Sequence, residues 1–163
     1  MTDFDALYRQ HAGHVYRFAL SLSGNRAVAE DITSETFVRV WTARDRVDLT
    51  TVIGYLLTIA RRLYLQGVKL NRRGESLVAD PPDARPSHAA EAQGRAELDA
   101  VIADLQTLAE PDRAALLMRA EDSMSYDDIG RALGITPGAA KVKVCRARQK
   151  LMTRRMARDG GPR

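Results

Sequence analysis

The sequence contains little of what membrane proteins, disulfide-rich secreted proteins and β-sheet proteins depend on. A single cysteine, Cys145, excludes an internal disulfide and a cysteine-only metal cage. No apolar run approaches the roughly 20 residues that a bilayer span needs. Aromatic residues make up 6% of the chain, and alternating runs of Val, Ile, Thr and Tyr are missing. These absences predict a cytoplasmic protein without membrane insertion, whose core is built from helices.

Motifs for catalysis and cofactor binding are missing as well. The chain has no glycine-rich phosphate loop, no nucleophile paired with a base and no cluster of metal ligands. His11 and His14 lie three residues apart on a predicted helix and offer two metal ligands, but no carboxylate or thiol stands at a matching spacing. This arrangement favours a surface or boundary position for both. We therefore expect a protein that is not an enzyme and that holds no cofactor or metal.

Positive charge, in contrast, is concentrated in two blocks. Lys and Arg number 11 against 7 Asp and Glu in residues 1–73, 2 against 5 in 74–97, 3 against 8 in 98–140, and 9 against 1 in 141–163. Basic residues at a helix end complement the helix dipole, but that effect accounts for two or three of them and not for the whole C-terminal block. The sorting of charge indicates two separate contacts with nucleic acid.

Apolar residues repeat at three- and four-residue spacing through both halves of the chain, which indicates helices. The first helix is predicted over residues 3–23 and ends at Gly24, and Asn25 is expected to cap the second. Pro111 is expected at the first position of a later helix. Prolines at 81, 82 and 86 exclude a helix between the halves. The sequence thus predicts an all-α protein with two small helical domains, residues 1–73 and 97–163, joined by a flexible linker, residues 74–96.

The most specific pattern lies after residue 124. Ser125 and Asp128 fit a capping box, and Gly134 stands where a left-handed residue would end a short helix. Ile135 is expected to fill the core, and Thr136-Pro137 provides a cap and a first helical residue. Helix, three-residue turn with glycine, and helix is the plan of the helix-turn-helix motif, whose second helix enters the major groove of DNA.

The second helix of this motif has two different faces. Its inward face is predicted to consist of Ala140, Val144, Ala147 and Leu151. Its outward face offers donors to guanine edges or phosphates, and small apolar groups to thymine methyls. The residues predicted to contact DNA are Lys141, Val142, Lys143, Cys145, Arg146, Arg148 and Lys150. Basic neighbours favour an oxidisable Cys145 thiol, whereas a lone cysteine on a helix is more often an inert small hydrophobe.

Three stretches of the chain resemble one known family. Residues 126–143, YDDIGRALGITPGAAKVK, are similar to region 4 of extracytoplasmic-function (ECF) sigma factors. Residues 29–41, AEDITSETFVRVW, are similar to region 2.2, and residues 55–61, YLLTIAR, to the segment after it. The segments occur in the order of the family, so the chain resembles an ECF sigma factor of the sigma-70 family.

The resemblance implies a dissociable specificity subunit of bacterial RNA polymerase. The region 2.2-like segment would bind the clamp helices of the largest core subunit through Asp31, Glu35, Phe37, Arg39 and Trp41. For Phe37 and Trp41, a place in the core is an equal alternative. The loop 45–51 and the helix after it would capture unstacked bases of the minus-10 element. The implied minus-10 contacts are Arg61, Arg62, Lys69, Arg72 and Arg73, and the helix-turn-helix would read minus-35 duplex.

The resemblance also implies promoter DNA as a ligand and an anti-sigma factor as a partner. Tyr55, Arg62 and Gln66 depart from the residues that are common in the family, which leaves the minus-10 sequence open. A free-standing helix-turn-helix regulator with an N-terminal interaction domain is the alternative function. Only a sigma factor needs residues 29–41 to bind core polymerase, so that segment discriminates between the two.

Overall fold

The computed structural model describes residues 2–43, 51–72 and 89–160. In these residues the chain forms seven helices and no strand, which confirms the all-α prediction for the part described. None of these helices has the length and apolar character that a membrane span needs. The helices are α1 Thr2–Ser23, α2 Arg26–Ala43, α3 Val52–Arg72, α4 Ala89–Gln106, α5 Glu110–Asp122, α6 Tyr126–Leu133 and α7 Pro137–Asp159.

The chain divides into two compact units, residues 1–83 and 84–163. Helix α4 begins at Ala89, whereas the sequence predicts a linker over residues 74–96. The segment from 89 to 93, AAEAQ, consists of strong helix formers, and its propensity outweighs the missing apolar stripe and the cost of Gly94. Residues 73–88, and with them the rest of the predicted linker and Arg73, lie outside the described residues, as do residues 45–50 of the predicted loop.

The N-terminal unit is a three-helix bundle in which α1, α2 and α3 each pack on the other two. Helix α1 ends at Gly24, whose φ of +70° is readily adopted only by glycine. The Asn25 side chain then accepts a hydrogen bond from the Val28 amide at 3.0 Å, so it caps α2 as predicted. All three helices contribute to the core, whose largest fully buried side chains include Val15, Phe18 and Leu22 of α1 and Leu56 and Leu57 of α3.

The C-terminal unit consists of α4 to α7. Pro111 occupies the second position of α5 and not the first, because the helix starts one residue earlier, at Glu110. Both positions suit proline, since neither amide has a partner within the helix. The Arg113 side chain is 5% exposed and donates from Nη1 to the Leu108 carbonyl at 2.9 Å. This bond satisfies a backbone acceptor at the end of the α4–α5 connection.

The turn between α6 and α7 forms as the sequence predicts. The Ser125 hydroxyl accepts from the Asp128 amide at 3.0 Å, and the Thr136 hydroxyl accepts from the Ala139 amide at 3.1 Å. Gly134 adopts a φ of +72° and ends α6. Ile135 is only half-buried, so its expected place in the core is wrong. The backbone of Ile135 lies against α6, since its amide donates to the carbonyl of Gly130 at 2.9 Å.

Gly130 is the residue that makes this turn so tight. A Cβ atom added to it would lie 2.6 Å from the carbonyl oxygen of Ile135, a distance that forces the backbone apart. We expect Gly130→Ala to destabilise the C-terminal unit by about 1–3 kcal/mol, even though alanine is the better helix former. Circular dichroism should follow the unfolding, since the only tryptophan, Trp41, lies in the other unit.

Gly138 provides the matched control, because it also lies in a helix and a Cβ atom there would meet nothing within 4 Å. Gly138→Ala should leave the stability unchanged or raise it by up to about 1 kcal/mol. Equal effects of the two substitutions would show that the approach of the Ile135 carbonyl does not limit the turn.

Candidate nucleic-acid and polymerase interfaces

The inward face of α7 is buried as predicted. Ala140, Val144 and Ala147 are completely inaccessible to solvent, and Leu151 is half-buried. Helix α7 packs through this face against α5 and α6. The small size of the two alanines allows the helices to approach closely, so the orientation of α7 is fixed by its own core residues.

The outward face of α7 carries exposed residues with mixed chemistry. Lys141, Cys145, Arg146 and Gln149 are exposed, and half of the Val142 side chain is accessible. Helical spacing places them side by side along about 12 Å of the helix axis. Guanidinium and ammonium donors next to small apolar groups suit the acceptors and thymine methyls of a major groove. Their contact with DNA stays a prediction.

Lys143 does not share this exposure. Its ammonium lies 3.5 Å from the Asp112 carboxylate of α5, and the two side chains are 25% and 14% exposed. The pair joins the start of α7 to α5, with both charges largely removed from water. Lys143 therefore anchors the recognition helix in the described structure, a role that the sequence did not indicate. A phosphate contact by Lys143 would compete with this ion pair.

A second carboxylate holds the other end of α7. Asp104 of α4, whose side chain is 13% exposed, lies 3.5 Å from Arg154 Nε and accepts a hydrogen bond from Arg158 Nη2. One turn away, Lys150 Nζ donates to the carbonyl of Thr107 at 3.2 Å. These contacts bind the C-terminal turns of α7 to the end of α4. Few apolar side chains are buried in these turns.

Whether a cation of α7 has a carboxylate partner thus depends on the side of the helix on which it lies. Lys143, Arg154 and Arg158 are neutralised by Asp112 and Asp104, while Lys150 is held by a backbone carbonyl. Lys141, Arg146 and Arg148 form no ion pair within the described parts of the chain. The unneutralised charge therefore lies on or beside the outward face, where a polyanion has access to it.

In the N-terminal unit, α3 presents basic residues along one side. Arg62, Lys69 and Arg72 are exposed and lie at spacings of seven and three residues, which brings them to neighbouring positions on the helix. Arg61 is half-buried. The stripe runs for about 15 Å. This length is sufficient to follow several phosphates of a single strand. The minus-10 contacts stay a prediction.

Helix α2 exposes most of the predicted polymerase contacts. Asp31, Glu35 and Arg39 are exposed, and Trp41 is 45% exposed. Glu35 and Arg39 form an ion pair of 3.3 Å with both side chains about half exposed. Such a pair contributes at most about 0.5 kcal/mol, so both charges stay available to a partner.

Phe37 belongs to the core and not to this surface. It is only 3% exposed, and its ring packs edge-on against Tyr8 and Phe4, with centroid distances of 4.9 Å and 6.4 Å. Of the two alternatives that the sequence left open for Phe37, the structure shows the core, from which it supports the surface of α2. The Phe4 ring also lies 4.7 Å from Trp41, so this aromatic cluster fixes the exposed tryptophan.

Val38 also belongs to this exposed surface of α2, although it is not among the contacts predicted from the sequence. Val38 is 53% exposed and lies three residues after Glu35 and three before Trp41. Its place at helical spacing between two predicted contacts was the signal that could have identified it. An exposed valine beside a tryptophan and charged neighbours has the composition of a contact surface.

His11 and His14 of α1 are the two residues that the sequence offers as metal ligands. The His11 and His14 rings are 6.5 Å apart, and burial, with a further effect from His14, lowers the pKa of His11. Among the described residues, no group of three or more His, Cys, Asp or Glu side chains is close enough to hold a metal ion.

Comparisons with known proteins agree with this layout. Residues 7–74 match Sigma-70 region 2, and residues 98–151 match Sigma-70, region 4. The chain is 31% identical over 150 residues to RNA polymerase sigma factor CarQ of Myxococcus xanthus, which covers 91% of this chain and 86% of CarQ. The chain belongs to the sigma-70 family of sigma factors. The free-standing regulator is not favoured, because the region 2 match covers residues 7–74 and thus most of the N-terminal bundle.

This sigma factor is also 35% identical over 158 residues to ECF RNA polymerase sigma factor SigE of Mycolicibacterium smegmatis, which covers 93% of the chain but 61% of SigE. Its relatives place it in the ECF group. The solved structure of CnrH in complex with the cytosolic domain of CnrY has a similar fold, with a TM-score of 0.71 and 24% identity over 94% of this chain and 88% of CnrH. RpoE in complex with the anti-sigma factor NepR from Bartonella quintana is similar at a TM-score of 0.70, with 22% identity over 94% of this chain and 96% of RpoE.

Substitutions in α7 of this sigma factor test whether its outward face contacts DNA bases. We expect Arg146→Ala to weaken binding to a minus-35 duplex by about 1–3 kcal/mol and to relax the sequence preference, because a base contact is lost. Lys150→Ala should lower the affinity for all duplexes alike, as expected for a phosphate contact. Fluorescence anisotropy at several salt concentrations separates the two effects. The recognition face is wrongly assigned if Arg146→Ala leaves both affinity and preference intact.

Substitution of Asp104 tests whether its ion pairs with Arg154 and Arg158 stabilise the C-terminal turns of α7. In Asp104→Asn, the amides of residues 152–159 should exchange with deuterium faster, because the carboxylate that pairs with Arg154 and Arg158 is lost. Asp159→Asn is the control, since it removes only the exposed ion pair with Arg155 at 3.7 Å. Unchanged exchange in Asp104→Asn would mean that the C-terminal turns are held by other contacts.

Proposed function

We propose that this chain is a promoter-specificity subunit that binds core RNA polymerase with its N-terminal unit and reads promoter DNA with both units. One observation carries the proposal. On the helix-turn-helix of α6 and α7, the cations that face the protein are neutralised by Asp104 and Asp112, while the outward ones are not. A helix whose unpaired charge lies on and beside its outward face is suited to a duplex.

Minus-35 reading is the role of α7 in this proposal. The residues that contact DNA are those of its outward face and flanks: Lys141, Val142, Cys145, Arg146, Arg148 and Lys150. In the first turn of α7, the Ala139 and Ala140 amides donate to the Thr136 hydroxyl and carbonyl, and Pro137 has no amide hydrogen. The Gly138 amide is the one left for a phosphate. Phosphate contacts set the register of the helix, and base contacts then set its specificity.

Minus-10 melting is the role of α3 and the residues before it. Flipping a base out of the duplex costs a few kcal/mol of stacking and pairing, which contacts to the separated strand must offset. Arg61, Arg62, Lys69, Arg72 and Arg73 supply those contacts along the phosphates. The duplex reader and the strand reader then act on two promoter elements at once, which raises specificity beyond what either gives.

Core polymerase binds to the exposed side of α2 through Asp31, Glu35, Val38, Arg39 and Trp41. Val38 and Trp41 provide apolar area at the centre, and the charged residues form the rim, an arrangement common to transient protein interfaces. Phe37 supports Trp41 from beneath through Phe4. The chain itself contributes binding and orientation and no chemical step, and it acts in the cytoplasm, where the chromosome is.

An anti-sigma factor controls the protein in this proposal. RpoE was solved with the anti-sigma factor NepR, and CnrH with the cytosolic domain of CnrY. The physical motive lies in the two surfaces described above, which are apolar and charged in the free protein. A partner that contacts both units gains from linked binding what neither surface gives alone.

Transcription from genomic DNA tests the proposal. Core polymerase and the full chain are incubated with fragmented genomic DNA of the source bacterium, and the 5′ ends of the transcripts are sequenced. We expect start sites that share minus-35 and minus-10 sequences and that are missing with core polymerase alone. Transcripts without shared upstream sequences, or none above the level of core polymerase, would contradict the proposal.

A pair of substitutions isolates polymerase binding. Val38→Lys should weaken binding to core polymerase by about tenfold, because a charge is forced into the apolar centre of the interface. Val101→Lys is matched to it, since these valines are 53% and 55% exposed. Val101→Lys should change the affinity by less than about twofold. Equal effects of both substitutions would contradict the proposal that core polymerase binds to α2.

A further inference from the structure

Four basic residues form a row along one side of α7, between its buried face and its outward face. The row consists of Lys143, Arg146, Lys150 and Arg154, which follow one another at spacings of three, four and four residues. Residues at these spacings are neighbours on a helix, so the row spans about 16 Å of the helix axis. A row of cations of this length is suited to several phosphates of a duplex, whatever the base sequence.

Most of this row is already bound within the protein. Lys143 Nζ lies 3.5 Å from Asp112 Oδ1, and Arg154 Nε lies 3.5 Å from Asp104 Oδ1. A third member of the row donates to a backbone carbonyl. Arg146, in contrast, forms no ion pair within the described residues. The two carboxylates therefore withdraw half of the row from a polyanion that approaches α7.

The pair of Lys143 and Asp112 lies in the part of α7 that is closest to the bases. A recognition helix contacts DNA through its N-terminal turns, and Lys143 is the seventh residue of α7. It precedes Arg146 by three residues, so the two cations approach the same part of a bound duplex. The side chains of Lys143 and Asp112 are 25% and 14% exposed, and salt screens such a pair less than an exposed one. A phosphate must therefore displace a carboxylate that is already in place.

We propose that Asp112 is a specificity-determining residue: it withholds Lys143 from phosphates and thereby weakens binding to duplexes of any sequence more than binding to the minus-35 element. Contacts with phosphates supply essentially all of the affinity for non-specific DNA, whereas the minus-35 complex also gains from base contacts. A cation that is withheld from phosphates thus acts first on the non-specific complexes. The inference rests on the proposed function, because it takes the outward face of α7 as the reader of minus-35 duplex.

The two kinds of complex differ in how freely α7 is placed on the duplex. Without base contacts, the helix is free to tilt toward the DNA backbone until as many cations as possible meet phosphates. In the minus-35 complex, the base contacts hold the helix in one orientation, and Lys143 gains only a phosphate that lies within its reach there. Release of Lys143 therefore stabilises the non-specific complexes more. The ratio of the two affinities decides occupancy in a genome, where non-specific sites are in vast excess.

Asp112→Asn tests this inference, because it removes the negative charge and keeps the size of the side chain. Binding of the full chain to a random-sequence duplex and to a minus-35 duplex, whose sequence the shared start sites supply, is measured by fluorescence anisotropy at several salt concentrations. For the random duplex, the slope of log K against log salt should become more negative by about 0.9, the value for one additional phosphate. At low salt, the affinity for the random duplex should rise at least about threefold, and that for the minus-35 duplex less than about twofold.

Two control variants separate the release of Lys143 from a general gain of positive charge. Asp112→Asn combined with Lys143→Gln has the net charge of the unmodified chain and no cation to release, so its slope should equal that of the unmodified chain. Glu97→Gln raises the net charge as much as Asp112→Asn does, but Glu97 is an exposed residue of α4 and lies outside the row. It should leave the slope and the sequence preference unchanged. Circular dichroism establishes that each variant is folded.

Lys143→Gln alone provides a second test, which does not require Asp112→Asn to fold. If Asp112 withholds Lys143 from DNA, this variant should show the slope of the unmodified chain on the random duplex. If Lys143 contacts a phosphate in the unmodified chain, the slope should become shallower by about 0.9.

Three results would overturn the inference: an unchanged slope in Asp112→Asn, equal gains of affinity for both duplexes, or a shallower slope in Lys143→Gln. A purely structural role of the ion pair would change the stability of the C-terminal unit and not these slopes. Failure of the proposed function is distinct, because promoter-specific transcription is measured on the unmodified chain. If that transcription fails, no minus-35 preference is left for Asp112 to sharpen, and the slopes on the random duplex still decide whether it withholds Lys143.

Discussion

The complete burial of Ala140, Val144 and Ala147 against α5 and α6 is the constraint from which the geometry of the DNA-binding unit follows. These residues leave α7 no freedom to rotate, because any rotation would expose them and bury charged neighbours. The opposite face of α7 is thereby directed to solvent. Gly130 lets the turn before α7 close tightly enough for this packing, since any larger residue would meet the Ile135 carbonyl.

Electrostatics then refine what packing establishes. Asp112 pairs with Lys143 near the start of α7, and Asp104 pairs with Arg154 and Arg158 near its end. Both carboxylates are largely shielded from water, so these pairs are less weakened by salt than exposed ones. The excess of acidic residues in 98–140 therefore has a structural role. Part of it neutralises inward cations and confines open positive charge to the side that meets ligands.

Local chemistry made the helix-turn-helix predictable from the sequence. Ser125, Gly134 and Thr136 act on residues within one turn of themselves, so their types alone specify caps and breaks. The inward face of α7 was predictable for a related reason, because helical periodicity decides it. The separate functions of the two units were predicted from the family resemblance, because helical periodicity says nothing about function.

Properties that depend on a distant partner could not be derived in this way. Lys143 looks like any other cation of α7 until Asp112 is found beside it. Phe37 has the composition of an interface residue, and only the approach of α1 with Phe4 and Tyr8 buries it. The start of α4 was missed because an alanine-rich segment without an apolar stripe forms a helix through propensity alone.

The accessibility of Cys145 in the DNA complex measures the central claim most directly, because this thiol is the only one in the chain and lies in the middle of the outward face of α7. Its rate of alkylation by a maleimide should fall by about tenfold or more when a saturating minus-35 duplex is bound, and should be unaffected by core polymerase alone. An alkylation rate that is the same in the free protein and in the specific DNA complex would contradict the account, since the face opposite the buried alanines would then not be the one that enters the groove.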